Sequence, residues 1–321
     1  MRCERFDAVH RYSAKQIFRF PRLRCEVMIE LKELEAVHKP HWCPGCGNFG
    51  ILQALKMAFS ELNVERHNVV MASGIGCSSH MPHWVNVYGL HGLHGRPIPV
   101  ATGIKLANPE LTVVAVGGDG DGYGIGVGHL VHTFRRNIDL TYLVSDNQIY
   151  GLTKGQTSPT SELGFKTKST PHGSAEEPLN PMMLAISGGA TFVARGYAGD
   201  LMHLKEIIKQ GISHKGFALI DVLQPCVTYN KVNTYQWFQP KVYKLEANGY
   251  KPDNKFLAIE KAMEWGEKIP IGVLYKEERP TYEDRMREYL RLPVVKDDIS
   301  NVDVGPILEK YKSDFPKSLS R

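Results

Sequence analysis

Five short apolar runs, most of them closed by a turn bearing Gly, Asp or Cys, constrain this chain more than any other feature. Val69-Val70-Met71-Ala72 leads into Ser73-Gly74-Ile75-Gly76-Cys77, and residues 111–116 lead into Gly117-Gly118-Asp119-Gly120. Residues 140–144 run to Asp146-Asn147, 192–194 form a shorter run, and 218–223 end at Pro225-Cys226. Stretches with apolar residues at helical spacing alternate with these runs, at 49–62, 126–136, 181–187, 201–214 and 256–268. Continuous apolar strands separated by helices predict an α/β fold, a parallel sheet with helices on both faces. In such sheets ligands bind beyond the carboxyl ends of the strands. Cys77, Asp119, Asn147 and Cys226 all fall there, so four ligand-type residues from distant stretches converge on one edge.

Gly118-Asp119-Gly120-Asp121-Gly122 places three glycines at alternate positions. They let the backbone approach a phosphate, and the following helix offers its positive end. Asp119 is a hard anionic oxygen for Mg²⁺, and Asn147 a neutral one. The bland alternative is an ordinary glycine-rich turn. Against it stands the order strand, GDG, helix, strand, with Asn147 placed 28 residues after Asp119. That pattern resembles the thiamine diphosphate motif of thiamine enzymes. The resemblance implies a third metal ligand from the backbone carbonyl two residues past the Asn, which is Ile149. It implies that Gly151, Leu152 and Thr153 line the diphosphate loop. Asp121 reads as a helix N-cap, with a supporting role behind the metal as the alternative. Residues 150–178, rich in Gly, Ser, Thr, Pro and Lys, read as a long functional loop.

Cys43 and Cys46 form a C-x-x-C directly before the 49–62 helix, whereas Cys77 and Cys226 are isolated. Structural zinc sites usually pair two short cysteine motifs. Four cysteines gathered from three segments fit a [4Fe–4S] cluster better than a zinc knuckle. Cys77 or Cys226 serving only as a small apolar residue is a further alternative. Six cysteines in 321 residues do not form a secreted disulfide scaffold, and this usage points to a cytoplasmic protein. Cys3 and Cys25 are expected to be free thiols.

The apolar fraction of 42% is that of a soluble globular protein, and no apolar run reaches the roughly 20 residues of a membrane span. A net charge of +5 without a long basic run does not point to nucleic acid. It fits docking of an acidic protein partner equally well. Residues 1–27 read as a basic N-terminal extension, either a short arm or a consequence of a start at Met28. Residues 28–235 read as the cofactor-binding domain. Residues 236–321 read as a C-terminal extension packing on a partner subunit, with a charged, extended tail beyond Lys276.

With both sites in hand, the chain resembles the beta subunit of archaeal-type 2-oxoacid:ferredoxin oxidoreductases, from about Trp42 to Ile271. The motifs that carry this are Trp42-Cys43-Pro44-Gly45-Cys46-Gly47-Asn48, Ser73-Gly74-Ile75-Gly76-Cys77-Ser78, Leu93-His94-Gly95-Arg96 and Ala101-Thr102-Gly103-Ile104-Lys105. Gly118-Asp119-Gly120-Asp121, Tyr150-Gly151-Leu152-Thr153-Lys154-Gly155-Gln156 and Gln224-Pro225-Cys226-Val227-Thr228-Tyr229-Asn230 complete the set. The resemblance implies a thiamine diphosphate-binding fold with Mg²⁺ and a [4Fe–4S] cluster in this chain. It implies an alpha subunit that supplies the rest of the thiamine site, so that the chain alone is inactive. The implied reaction is coenzyme A-dependent oxidative decarboxylation of 2-oxoacids, with electrons passing through the cluster to ferredoxin. Ile75, Gly76, Ser78 and His94 are expected in the cofactor pocket. No residue of this chain stands out as catalytic, although His80, where relatives often carry Lys or Arg, is a candidate substrate contact. Lys154 is a candidate attractor of anionic coenzyme A or substrate. The rival readings are a non-oxidative thiamine enzyme subunit and a zinc-bearing structural subunit.

Overall fold

The structure is a computed structural model that describes residues 29–287, 293–300 and 302–312. The N-terminal extension, with Cys3 and Cys25, lies outside the described residues. Eight strands form one sheet in the order β2-β1-β3-β4-β6-β5-β8-β7. They are β1 (Val69–Ser73), β2 (Tyr88–His91), β3 (Thr112–Gly118), β4 (Thr141–Asp146), β5 (Phe192–Tyr197), β6 (Ala218–Leu223), β7 (Val242–Lys244) and β8 (Ile269–Lys276). β2, β1, β3, β4, β6 and β5 are mutually parallel. β8 pairs antiparallel with β5, across an irregularity at Val193/Ala194, and β7 runs parallel to β8. The segment after 236 thus adds two strands to the same sheet.

Helices cover both faces because successive side chains of a strand point to opposite sides. α1 (Asn48–Glu61) and α5 (Leu201–Ser213) share one core with Met71, Val114, Val116, Ile220 and Val222. α2 (Pro97–Ala107), α3 (Val127–Arg136), α4 (Pro181–Gly188) and α7 (Lys255–Met263) share the other, with Ala72, Val113, Ala115 and Leu219. The alternation of Met71 with Ala72, and of Val113 with Val114, shows each strand feeding both layers. A short α6 (Tyr235–Phe238) follows β6.

Two sequence expectations are corrected. The 256–268 helix ends at Met263, where Glu264 turns extended at ψ 117°, and the chain passes through Gly266 at φ +85° into β8. The tail past Lys276 is not simply extended: it forms α8 (Tyr282–Met286) and α9 (Gly305–Lys312). α8 begins with a reciprocal capping box between Thr281 and Asp284. Residues 150–178 contain no helix or strand, as expected, beyond one bridge between Tyr150 and Gln156. Among the described residues no helix is long and apolar enough to cross a membrane.

Candidate active site

β1, β3, β4 and β6 are consecutive neighbours in the sheet, so their carboxyl ends form one continuous edge. Cys77, Asp119, Asn147 and Cys226 follow those four ends. Two cavities open there. One, of about 490 Å³, is walled by the GDG loop, the 75–78 turn, His94 and the 149–157 segment. Every residue expected to line a cofactor pocket is on its wall except Gly122, which is instead packed against Tyr142.

The wall is cut to admit a ligand close to the backbone. Gly76 takes φ +133°, and a Cβ there would meet no protein atom within 4 Å. Gly120 has no room for a Cβ, because the Tyr150 ring covers it and the Tyr150 hydroxyl donates to its carbonyl at 3.0 Å. Asp121 does not cap a helix. Its Oδ1 accepts from the N–H of Ile75 at 2.9 Å and of Gly95 at 2.7 Å, and it lies 2.8 Å from His94 Nδ1. One carboxylate therefore fastens the 75–78 turn and the His94-Gly95 turn to the GDG loop. Burial pushes the Asp121 carboxyl up, against the pull of these three bonds.

Asp119 is held from behind. Its Oδ2 accepts from Ser158 Oγ at 2.5 Å, and Thr160 Oγ1 lies 2.8 Å away. Thr160 Oγ1 is also 2.7 Å from Asp146 Oδ1. One hydroxyl proton cannot serve two carboxylates, so one acid of this chain carries a proton. Burial, with the charges of Asp221 and Asp119, drives the Asp146 carboxyl well above the usual carboxylate range. Asp119 and Asp221 are each raised to about 6, mainly by burial. Tyr123 donates to Asp221 at 2.7 Å. Asp119 thus presents a positioned hard oxygen beside Asn147, whose Oδ1 accepts from Ile149 N at 3.1 Å. A glycine cradle with one anionic and one amide oxygen suits a magnesium-bound diphosphate.

The second cavity, of about 230 Å³, is lined by Cys43, Cys46, Cys77 and Cys226, with His41, His80 and Gln224. Trp42 Nε1 donates to the Cys77 carbonyl at 2.6 Å and fixes the C-x-x-C segment to the 77 turn. Among the described residues no group of three or more His, Cys, Asp or Glu is gathered closely enough for a single metal ion. The four thiols surround a space instead of converging on a point. Burial, reinforced by the other cysteines, pushes Cys46 up to about 12, and Cys77 is raised in the same way. Cys77, Asn147, Gly151 and Leu152 belong to both cavity walls. Gln224 joins them directly: its Oε1 accepts from Asn147 Nδ2 at 2.9 Å, and its Nε2 points to Cys46 Sγ at 3.4 Å.

Residues 66–222 match the thiamine pyrophosphate enzyme C-terminal TPP binding domain, and 226–291 match the C-terminal family of the pyruvate ferredoxin oxidoreductase beta subunit. The chain is 52% identical over 293 residues to a 2-oxoacid:ferredoxin oxidoreductase subunit beta of Saccharolobus solfataricus, covering 84% of this chain and 96% of that one. A Sulfolobus sp. protein of the same description is 54% identical over 259 residues, 77% of this chain and 85% of its own length. The chain belongs to the 2-oxoacid:ferredoxin oxidoreductase beta-subunit family. A solved 2-oxoglutarate:ferredoxin oxidoreductase from Magnetococcus marinus, with 2-oxoglutarate, coenzyme A and succinyl-CoA bound, superposes with a TM-score of 0.80 at 38% identity. That match covers 90% of this chain and 97% of that one.

In this beta subunit His80 lies on the wall of the cysteine cavity, not of the thiamine cavity. Its ring meets those of His91 and Trp84 edge-on and that of His41 at a tilt, and burial followed by the neighbouring imidazoles lowers its basicity. The lowered basicity does not favour charge pairing with a substrate carboxylate. Sequence reasoning missed Ser158, Thr160, Asp146, Tyr150 and Gln224. Asp146 sits next to Asn147, and Tyr150 and Gln224 stood inside the family motifs, Gln224 two residues before Cys226, without a role assigned to them. Ser158 and Thr160 lay within the expected functional loop, and no spacing connects them to Asp119.

Proposed function

We propose that this chain, with an alpha subunit, carries out coenzyme A-dependent oxidative decarboxylation of 2-oxoacids to acyl-CoA and CO2. Electrons leave through a [4Fe–4S] cluster on Cys43, Cys46, Cys77 and Cys226 to ferredoxin. The observation that carries the reading is the shared wall of the two cavities, bridged from Asn147 to Cys46 by Gln224. A thiamine site and a thiol-lined site in contact are the arrangement that short-range electron transfer requires. Bound there, thiamine diphosphate supplies the carbanion and electron sink for decarboxylation, and the cluster supplies the one-electron acceptor. Asp119, Asn147 and the Ile149 carbonyl would hold Mg²⁺. Ser158 and Thr160 keep Asp119 oriented, while Asp121 fixes the turns around the diphosphate. His94, with Nδ1 engaged by Asp121, presents its other nitrogen as the remaining hydrogen-bonding group. The protein's own work is to position, to exclude water and to keep the two centres adjacent.

The open arrangement of the thiols favours a cluster over mononuclear zinc. Metal and sulfide analysis with EPR, on the two-subunit complex purified without oxygen, tests this. About four irons per beta chain, with a signal that appears on adding a 2-oxoacid and coenzyme A, is expected. Stoichiometric zinc without iron would overturn the redox reading.

A further inference from the structure

None of the chain's 34 acidic residues falls in 36–60, 66–109, 147–161 or 222–245. These four stretches deliver all four cavity cysteines, and they contain nine lysines and arginines. The fold brings them together around the cysteine cavity. Cys43, Pro44 and Gly45 are exposed, so the cavity meets solvent at the C-x-x-C loop. Lys39 stands exposed two residues before the cavity-lining His41. Exposed Lys231 donates to the carbonyl of Val227, which also lines the cavity and stands beside Gly45. Neither lysine has an ion-pair partner among the described residues. Asp200, just beyond the Ala198 contact of Gly47 and Gly50, is already bonded to Lys244 at 2.7 Å. Apolar Tyr229 and Val232 are exposed beside Lys231.

We propose that this acid-free rim, centred on the Cys43–Gly45 loop and flanked by Lys39 and Lys231, is the docking surface for a small acidic iron–sulfur protein that receives the electrons. The proposal rests on the redox reading above. An electron carrier must approach the cysteine site where its protein cover is thinnest, and that place is the exposed loop. Unneutralised cations around a few apolar side chains make a surface that steers an acidic partner and releases it quickly, as small redox interfaces do.

The test is the double charge reversal Lys39→Glu with Lys231→Glu in the two-subunit complex. Lys154 is left alone because it follows the thiamine-cavity residue Thr153. Reduction of an acidic ferredoxin and of methyl viologen is measured at low and high salt. The ferredoxin KM should rise about tenfold at low salt and approach the unsubstituted value at high salt, because steering is screened. The viologen rate, the iron content and co-purification of the alpha subunit should stay unchanged. An unaltered ferredoxin KM overturns the assignment. Loss of the alpha subunit also overturns it, since the face would then be the subunit interface. Absence of iron from the unsubstituted complex is a separate failure, that of the redox reading itself.

Discussion

The thiamine cavity and the cysteine cavity share a wall but are built on opposite plans. In the first, the functional carboxylates are pinned by several bonds before any ligand arrives: Asp119 by Ser158 and Thr160, Asp121 by Ile75, Gly95 and His94. In the second, backbone bonds such as Gly47 N–H to the Pro225 carbonyl and Asn230 N–H to the Cys226 carbonyl tie the turns together, with Trp42 on the Cys77 carbonyl, but among the described residues the only side chain bonded to a thiol is Gln224, at Cys46. The difference is one of preorganisation. A diphosphate site must hold hard oxygens against their own desolvation, so the protein supplies the bonds. A thiol site becomes rigid when its metal binds, because the metal–sulfur bonds then supply the restraint.

The largest effect should come from the cysteine site, if the proposed cluster is what makes it rigid. Cys77→Ser should abolish iron binding and ferredoxin reduction, a loss beyond the roughly 10–100-fold that removal of a supporting group brings. Thiamine diphosphate binding, read by calorimetry, should persist; its loss would show that the two cavities do not stand independently. Asp119→Asn should do the reverse. Mg²⁺-dependent cofactor affinity should fall on the order of a hundredfold, about 3 kcal/mol, with iron content intact.

A smaller effect separates orientation from ligation. Thr160→Val removes the hydroxyl between Asp119 and Asp146 and should weaken Mg²⁺-dependent binding about tenfold, from the roughly 1–3 kcal/mol cost of an unsatisfied buried acceptor. An unchanged affinity would mean that Ser158 alone holds Asp119. The pH dependence should differ between the sites. Asp119 and Asp221 are raised to about 6, so their neutral forms stabilise the metal-free fold below the usual aspartate range, and that stability is lost as pH rises through about 6. Mg²⁺ binding needs Asp119 ionised, so the thermal shift produced by Mg²⁺ and cofactor should grow as pH rises through about 6. A shift independent of pH would contradict this ordering. Gln224→Leu should be mildest, about 1 kcal/mol, yet it should touch both Mg²⁺ affinity and cluster potential. A change in only one would show that Gln224 does not couple them.

Much of the fold was legible because its strands are buried on both faces and read as uninterrupted apolar runs. α1, β1, β3, β4, β5 and β6 stand close to their expected places. β2 was missed because Tyr88–His91 is a largely exposed edge without apolar alternation. α2 was missed because Pro97, Pro99 and Gly103 weaken its local propensity, and its helix rests on packing Ile98 and Ala101 into the core. β8 was hidden behind a helical pattern that runs on past its true end at Met263. The capping box at Thr281 was written in the sequence and heralded a helix where an extended tail was expected. Asp121 looked like a cap because it precedes a helix, and only the approach of the 75 and 95 turns gives it its partners.

The sequence by itself determined the chemistry available: four soft thiols, one GDG turn and one asparagine at the spacing of a thiamine motif. These follow from residue type and local order, which need no partner to be read. The tertiary structure alone decided what holds those groups and how near they stand. Strand order put β1, β3, β4 and β6 side by side, and it set Gln224 between Asn147 and Cys46. It also placed Thr160 between Asp119 and Asp146. Bonds of that kind join residues separated by 14 to 178 positions, and no periodicity along a chain encodes which distant groups a sheet will bring into contact.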